Sequence, residues 1–289
     1  MSKLKDKLAK GEFVITSEIG PPKGTNIEPH LKEADHLASR VDAINVTDLQ
    51  SSVMLLGSLA VCRLLVERGL EPVLQITCRD RNRLSLQSEL LSAAVMGIEN
   101  VLLLTGDHQT LGDHPGAMGV FDLDSVQLIG AAKKLESGTD LAGKELDGIP
   151  KFFKGAVVNP GADPLEPEII KMEKKIAAGA EFFQTQAVYD IEQFKSFYEQ
   201  VKGFNVPILA GIVFLKSAGM AKYMNKNVAG VNVPDELIAE IDGAEDKKEK
   251  SVEISARLVS GLKDCAQGIH LMPLGWDNLV IPVLDKVKL

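Results

Sequence analysis

The chain has 289 residues, of which 45% are hydrophobic and 25% charged, and a formal net charge of −8. That length builds one sizeable core without disulfide or metal staples. The acidic balance argues against the clustered positive surface that nucleic acid or an anionic membrane demands. No apolar run approaches the ~18 residues of a membrane span. The leading residues Met1–Lys10 alternate Lys with Leu and Ala and lack the apolar stretch of a secretion signal, so they read as a short, solvated helix. Cys62, Cys78 and Cys265 are widely spaced and form no C-x-x-C pair. They suggest neither a zinc site nor a disulfide framework and fit a reducing cytoplasm.

Along the chain, short β-branched runs alternate with longer segments of helical spacing, the pattern of a parallel α/β sheet. Strands are predicted at Phe13–Ile19, Ala43–Thr47, Pro72–Thr77, Asn100–Thr105, Gly155–Val158, Phe182–Gln186, Pro207–Ile212 and Ile269–Met272. Helices are predicted near 27–40, 55–68, 83–96, 124–137, 166–178, 191–202, 217–226 and 251–266, with Gly69, Gly97, Gly179 and Gly268 following helices. Eight such units close a single-domain (β/α)8 TIM barrel over residues 1–289; an open doubly wound sheet is the alternative. Two stretches break the rhythm. Thr105–Gly119 is a long Gly-, His- and Asp-rich loop after the fourth strand, and Ala229–Lys250 reads as an insertion whose Glu245–Lys250 run is a solvated helix face.

In a barrel the C-terminal strand ends face the reactive mouth. Glu18 interrupts an apolar first strand just before a Gly-Pro-Pro turn. A buried carboxylate is costly unless paired or protonated. Read alone, Glu18 is therefore equally a general acid and a structural partner for a barrel arginine. Thr47 and Asp48 end the second strand. Gln75 and Thr77 share one face of the third, and Thr105, Gly106 and Asp107 end the fourth. Gln184 and Gln186 alternate on the sixth, where interior amides need polar partners. Five polar strand ends together point to an active site. Lys171, Lys174 and Lys175 share one helix face, which alone reads as solvated surface. His108, Asp113 and His114 lie in a loop without the spacing of a metal site, so no metal is expected. No G-x-G-x-x-G or Walker loop follows a strand.

At these residues the sequence resembles the methylenetetrahydrofolate reductase family, flavin-dependent barrel enzymes of one-carbon metabolism. The likeness runs from Phe13 to the C-terminus. It is carried by Ser17–Pro22, Asn45–Thr47, Ile76–Cys78, Thr105–Asp107 and Thr185–Gln186 with Asp190. Val46–Asp48 and Thr77–Arg83 look most like the branch found in anaerobes with folate-based acetyl or C1 pathways. The resemblance implies reduction of 5,10-methylene-tetrahydrofolate to 5-methyl-tetrahydrofolate by hydride from a reduced flavin. Glu18 matches the general acid that protonates N10. Asp107 matches a carboxylate beside the flavin that also holds the pterin, and Gln186 the amide on the pterin edge. Thr47, Gln75, Thr105, Gly106, Asp107, Asn159, Lys174 and Lys175 fall at cofactor-binding positions, the two lysines toward the phosphates.

Four positions depart from the family pattern. Gln75 stands where many relatives have His and Asn159 where they have Tyr; the segment Asn159–Glu168 is also shorter. FAD is the cofactor the resemblance implies, with FMN the alternative. Ala218 replaces an aromatic and Trp276 an Arg, which weighs against direct use of NADH or NADPH. Relatives in the anaerobic branch often work beside a small Cys-rich, metal-binding electron-transfer subunit, a partner this chain would need; self-association into an oligomer is compatible with the sequence. Competing readings are a flavin-free pterin-binding barrel such as a methyl-transfer subunit, and a non-catalytic scaffold of an electron-transfer assembly.

Overall fold

The computed structural model describes residues 2–287. Strands β1 (Val14–Ile19), β2 (Ala43–Val46), β3 (Pro72–Thr77), β4 (Asn100–Leu104), β5 (Phe153–Val158), β6 (Phe182–Ala187), β7 (Ile208–Val213) and β8 (Gly268–Met272) all run parallel. Each pairs with the next, and β8 returns to β1, so the sheet has no open edge and the doubly wound alternative is set aside. The strands follow the sequence prediction, with β5 starting at Phe153 instead of Gly155. Around them lie α1 (Lys3–Ala9), α2 (Glu28–Leu37), α3 (Ser58–Glu67), α4 (Arg83–Val95), α5 (Ser125–Glu136), α6 (Glu166–Ala178), α7 (Ile191–Val201), α8 (Ala218–Asn227), α9 (Asp235–Gly243), α10 (Lys247–Leu262) and α11 (Val280–Asp285).

Side chains alternate across each strand. Outward residues such as Ile44, Val46, Leu74, Ile76, Val101 and Leu103 join helix residues such as Leu31, Leu65, Leu90 and Leu128 in one buried shell. A second apolar cluster comes from the inward faces: Val14, Ala43, Val73, Leu102, Phe153, Phe182 and Leu209. Phe153 and Phe182 stack there with ring centroids 4.6 Å apart. Gly155 makes that possible, because a Cβ at its position would lie 2.3 Å from the Phe182 ring. Leu4 and Leu8 of α1 belong to the same cluster. The leading helix is therefore not merely solvated: its i, i+4 leucine pair plugs the bottom of the barrel while its lysines face outward.

The 229–250 segment is largely structured. Val231, Val233, Leu237, Ile238 and Ile241 bury a second apolar surface, and α9 packs between α8 and α10. The charged run expected to be a solvated face is the start of α10, whose N-cap Asp246 accepts from the backbone of Lys248 and Glu249.

Candidate active site

Above the apolar floor the barrel interior turns polar. Asn45 on β2 and Gln184 on β6 exchange amide hydrogen bonds across the barrel, Asn45 Nδ2 donating to Gln184 Oε1 at 2.8 Å and Gln184 Nε2 to Asn45 Oδ1 at 3.1 Å. Thr16 Oγ1 lies 2.9 Å from Nδ1 of His270 on β8. That contact aims the other ring nitrogen, Nε2, at Glu18 Oε2, 3.7 Å away. Alternation along β1 places Thr16 and Glu18 on the inward face, one above the other.

Glu18 is 6% exposed. Among the described residues its ion-pair partner is His270; no arginine pairs with it. Gln50 Nε2 approaches Glu18 Oε1 at 3.4 Å from the loop after β2. Leu49, Ser51 and Ser52 in that loop adopt left-handed φ, a conformation that costs non-glycine residues about 1–3 kcal/mol each and is held by its surroundings. The brace is Arg79, a buried guanidinium that donates to the Leu49 carbonyl, Ser52 Oγ and the Asp107 carbonyl while pairing with Asp80. Beside it, Asp48 takes a bidentate pair from Arg81 and accepts from Thr77 N at 2.8 Å and Thr77 Oγ1 at 3.0 Å.

Glu18 lines a cavity of about 330 Å³ together with Gly20, His30, Glu33, Gln50, Leu274, Gly275 and Asp277. A second mouth cavity, about 270 Å³, is lined by Thr105, Ser125, Val157, Asn159, Glu168, Lys171, Lys175 and Gln186 with Leu103 and Leu104. Burial, the largest influence, pushes the Lys175 ammonium down to about 8; its Nζ donates to the Val157 carbonyl at 2.5 Å.

The anticipated residues divide clearly. Glu18 lies in the first cavity, whereas Thr105, Asn159, Lys175 and Gln186 line the second. Lys174 does not line it; Lys171, one turn before Lys175, does, although both Lys171 and Lys174 are exposed. The helical advance of about 100° per residue puts positions 171 and 175 on the face toward β5 and turns 174 away. Asn159 is spent on the fold, its Nδ2 donating to the Ala229 carbonyl and its Oδ1 accepting from Gly161 N. Thr105 Oγ1 caps the start of α5 by accepting from Ser125 N. Gln186 sits at a bulge, where Gln184 faces Leu209 but Ala187 faces Gly211, so simple alternation does not set its direction.

Gln75 is buried on the inward side of β3. Gly106, at φ +93°, fits tightly against Thr77 and Arg79, where a Cβ would lie 3.0 and 3.2 Å from theirs. Asp107 is exposed at the lip. Thr47 Oγ1 is buried without a hydrogen-bond partner, a group that a bound molecule would satisfy. His108 bonds Thr110 within its loop, Asp113 bonds His114, Lys23 and Met54 N, and the described residues contain no cluster suited to a metal. Sequence reasoning did not single out His270, Gln50, Glu33 or Asp277, and it grouped Lys171 with Lys174 and Lys175 without separating them. Strand alternation could have found His270.

The fold is a (β/α)8 barrel with a polar mouth at the C-terminal strand ends, the end at which barrels of this kind place their reactive groups. The chain belongs to the methylenetetrahydrofolate reductase family, whose sequence model matches residues 3–288. It is 26% identical over 318 residues to methylenetetrahydrofolate reductase 2 of Schizosaccharomyces pombe, covering 97% of this chain and 46% of that protein. It is 24% identical over 256 residues to 5,10-methylenetetrahydrofolate reductase of Pectobacterium carotovorum subsp. carotovorum, covering 86% and 80%. The chain thus spans about half or less of the eukaryotic relatives' length. Among solved structures, a Clostridium thermocellum protein that binds two copies of 5-methyl-5,6,7,8-tetrahydrofolic acid superposes with TM-score 0.65 at 19% identity, covering 98% and 99%. Oxaloacetate acetylhydrolase superposes with TM-score 0.56 at 10% identity, covering 98% and 83%. At such identities the structural likeness shows the barrel alone. No helix among the described residues is long and apolar enough to cross a membrane.

Proposed function

We propose that this chain reduces 5,10-methylene-tetrahydrofolate to 5-methyl-tetrahydrofolate at the barrel mouth, with Glu18 as the general acid. The observation that carries this reading is the setting of Glu18: a buried carboxyl on a cavity wall, bracketed by His270 and Gln50, with no arginine to make it a structural ion pair. Family membership supports the reaction. The folate bound by the Clostridium thermocellum barrel is the product this reaction would form, which supports the substrate class.

The family is generally flavin-dependent, and the residues present fit a flavin. Thr47 offers a buried hydroxyl without a partner, and Lys171 and Lys175 converge with Ser125 at the start of α5, a setting suited to phosphate. A bound reduced flavin supplies the hydride. FAD is the form we assign, with FMN the alternative; the mass of the released cofactor separates them. Thr47, Gln75, Thr105 and Gly106 would line its ring-binding side. Lys171 and Lys175 would meet its phosphates, Lys171 standing in for the Lys174 that the resemblance implies.

Glu18 transfers its proton to N10 of the substrate, opening the five-membered ring to an iminium. Asp107 offsets the positive charge that develops there, and Gln186 holds the pterin edge. The proton ends on N10 and Glu18 is left as carboxylate. Electrons reach the site through a Cys-rich, metal-binding partner subunit. Ala218, buried at the first turn of α8, leaves no aromatic surface at that position for a nicotinamide. The deciding test is anaerobic conversion of methylene-tetrahydrofolate by the flavin-loaded, pre-reduced protein, with Glu18→Gln as the comparison.

A further inference from the structure

Glu33 on α2 and Asp277, in the turn between β8 and α11, come from distant parts of the chain and meet beside Glu18. Helix α2 buries Leu31, Ala34 and Leu37 against the core and packs on the turn that contains Asp277. That leaves Glu33 at the rim, where both carboxyls line the same cavity as Glu18. The two carboxyls share one cavity wall and Asp277 acts directly on Glu33. Two carboxylates placed together in a half-buried site repel, which favours one proton held by the pair. Burial, reinforced by Asp277, pushes Glu33 up to about 7, and burial raises Asp277 also.

The groups facing the pair explain why it is not simply ionised. His30 and Glu18 line the cavity with it, and the Glu18 charge raises Asp277 further. Lys216, from the loop after β7, is a cation acting on Asp277, and its ammonium is already donated to the Leu274 carbonyl. On the opposite side of Glu18 stands His270, backed by buried Thr16 and then by the Asn45–Gln184 amide pair, so a proton given up by the imidazole would have no titratable neighbour behind it to restore it. A proton lost from Glu18 is therefore replaced from the cavity side.

We propose that the Glu33–Asp277 carboxyl pair is the proton reservoir that recharges Glu18 after each turnover. The inference rests on the reduction reading above. Glu18 gives its proton to N10 and becomes carboxylate; the proton shared by Glu33 and Asp277 crosses the cavity to Glu18; solvent then restores the pair. No electrons move in these steps. Glu33 and Asp277 act through Glu18 and touch no reacting atom.

Two measurements test it. Infrared titration of the flavin- and folate-free protein should show a protonated-carboxyl band that fades as pH rises through about 7, lost in Glu33→Gln and in Asp277→Asn. A wild-type band that titrates only in the ordinary carboxylic-acid range, or one unchanged in both variants, overturns the proposal. In flavin-loaded protein kept reduced by an excess of reduced viologen dye, either variant should lower the ratio of steady-state to first-turnover rate roughly tenfold or more. The deficit should grow as pH rises, with KM for the folate little changed. Wild-type protein that turns over while both variants share its ratio and pH profile overturns the reservoir alone. A wild type that forms no methyl product overturns the reduction reading, and the recharging role with it.

Discussion

Glu18 Oε2 and His270 Nε2 lie 3.7 Å apart on adjacent strands of the barrel mouth, although those strands are the first and last of the chain. The ring of His270 is oriented by Thr16, so the imidazole addresses the carboxyl from inside the barrel while Gln50 does so from the loop side. Glu18→Gln keeps the shape and a hydrogen-bonding amide but removes the proton. It should still bind flavin and folate and lose about 10²–10⁴-fold in the rate of methyl product formation. Single-turnover kinetics with folate affinity measured in parallel would show it; wild-type speed in the variant would remove Glu18 from the chemistry.

The Asp48–Arg81 pair should matter to stability before it matters to catalysis. Asp48's side chain is fully buried, and Arg81 grips it with both terminal nitrogens while also pairing with Glu89. Asp48→Ala leaves the half-buried Arg81 guanidinium with Glu89 alone and Thr77 N without its acceptor, so unfolding free energy should fall by about 3 kcal/mol. Urea denaturation of both proteins measures this. A loss under about 1 kcal/mol would mean the pair is solvated in the folded state.

Lys171 and Lys175 should set the affinity for phosphate-bearing cofactor, and Lys174 should not. Replacing Lys175 with Met removes a charge-assisted contact worth about 1.5–3 kcal/mol, or roughly tenfold to a hundredfold in Kd for the flavin. Lys174→Met should leave Kd nearly unchanged. The pH sign follows from burial: the free ammonium, held down at about 8, is charged below that value and neutral above it. Flavin binding should therefore weaken as pH rises through about 8, and this step should vanish in Lys175→Met. Fluorescence titration of flavin at several pH values reads both effects.

The N-terminal helix offers a separate check on the fold. Leu4 is fully buried in the floor of the barrel, so Leu4→Ala should cost about 2–5 kcal/mol. A solvated leading helix would lose almost nothing, and thermal or urea unfolding distinguishes the two.

The barrel was legible in the sequence because each strand is a short β-branched run and each helix carries its own apolar stripe, signals that are local. Glu18 was legible for the same reason, as a charge inside an apolar strand. What escaped depends on relations between distant segments. Nothing local to Glu33 or Asp277 announces that α2 and the turn after β8 share one cavity wall. Asn159 looked available for a ligand until the Ala229 carbonyl was found on its amide. Leu4 and Leu8 looked like half of an exposed amphipathic helix because the surface they cover is assembled from seven strands. The three lysines of α6 are different: spacing groups Lys171, Lys174 and Lys175, and only a helical wheel centred on the buried Met172 and Lys175 turns Lys174 away from the cavity.

The supply of electrons has its own signature. Mixed anaerobically with NADH, the flavin-loaded chain alone should be reduced far more slowly than it turns over folate, since position 218 offers no aromatic ring. Bleaching at the turnover rate would show direct hydride uptake and leave the partner subunit without a role.

The most direct measurement is a single anaerobic turnover. The flavin-loaded protein is reduced chemically and mixed with 5,10-methylene-tetrahydrofolate, while flavin absorbance and the folate product's mass are followed together. We predict reoxidation of the flavin in step with formation of one equivalent of 5-methyl-tetrahydrofolate, and neither signal on the same timescale in Glu18→Gln. A flavin that stays reduced in the wild type, or a protein that binds the folate but takes up no flavin, would contradict the proposed reaction.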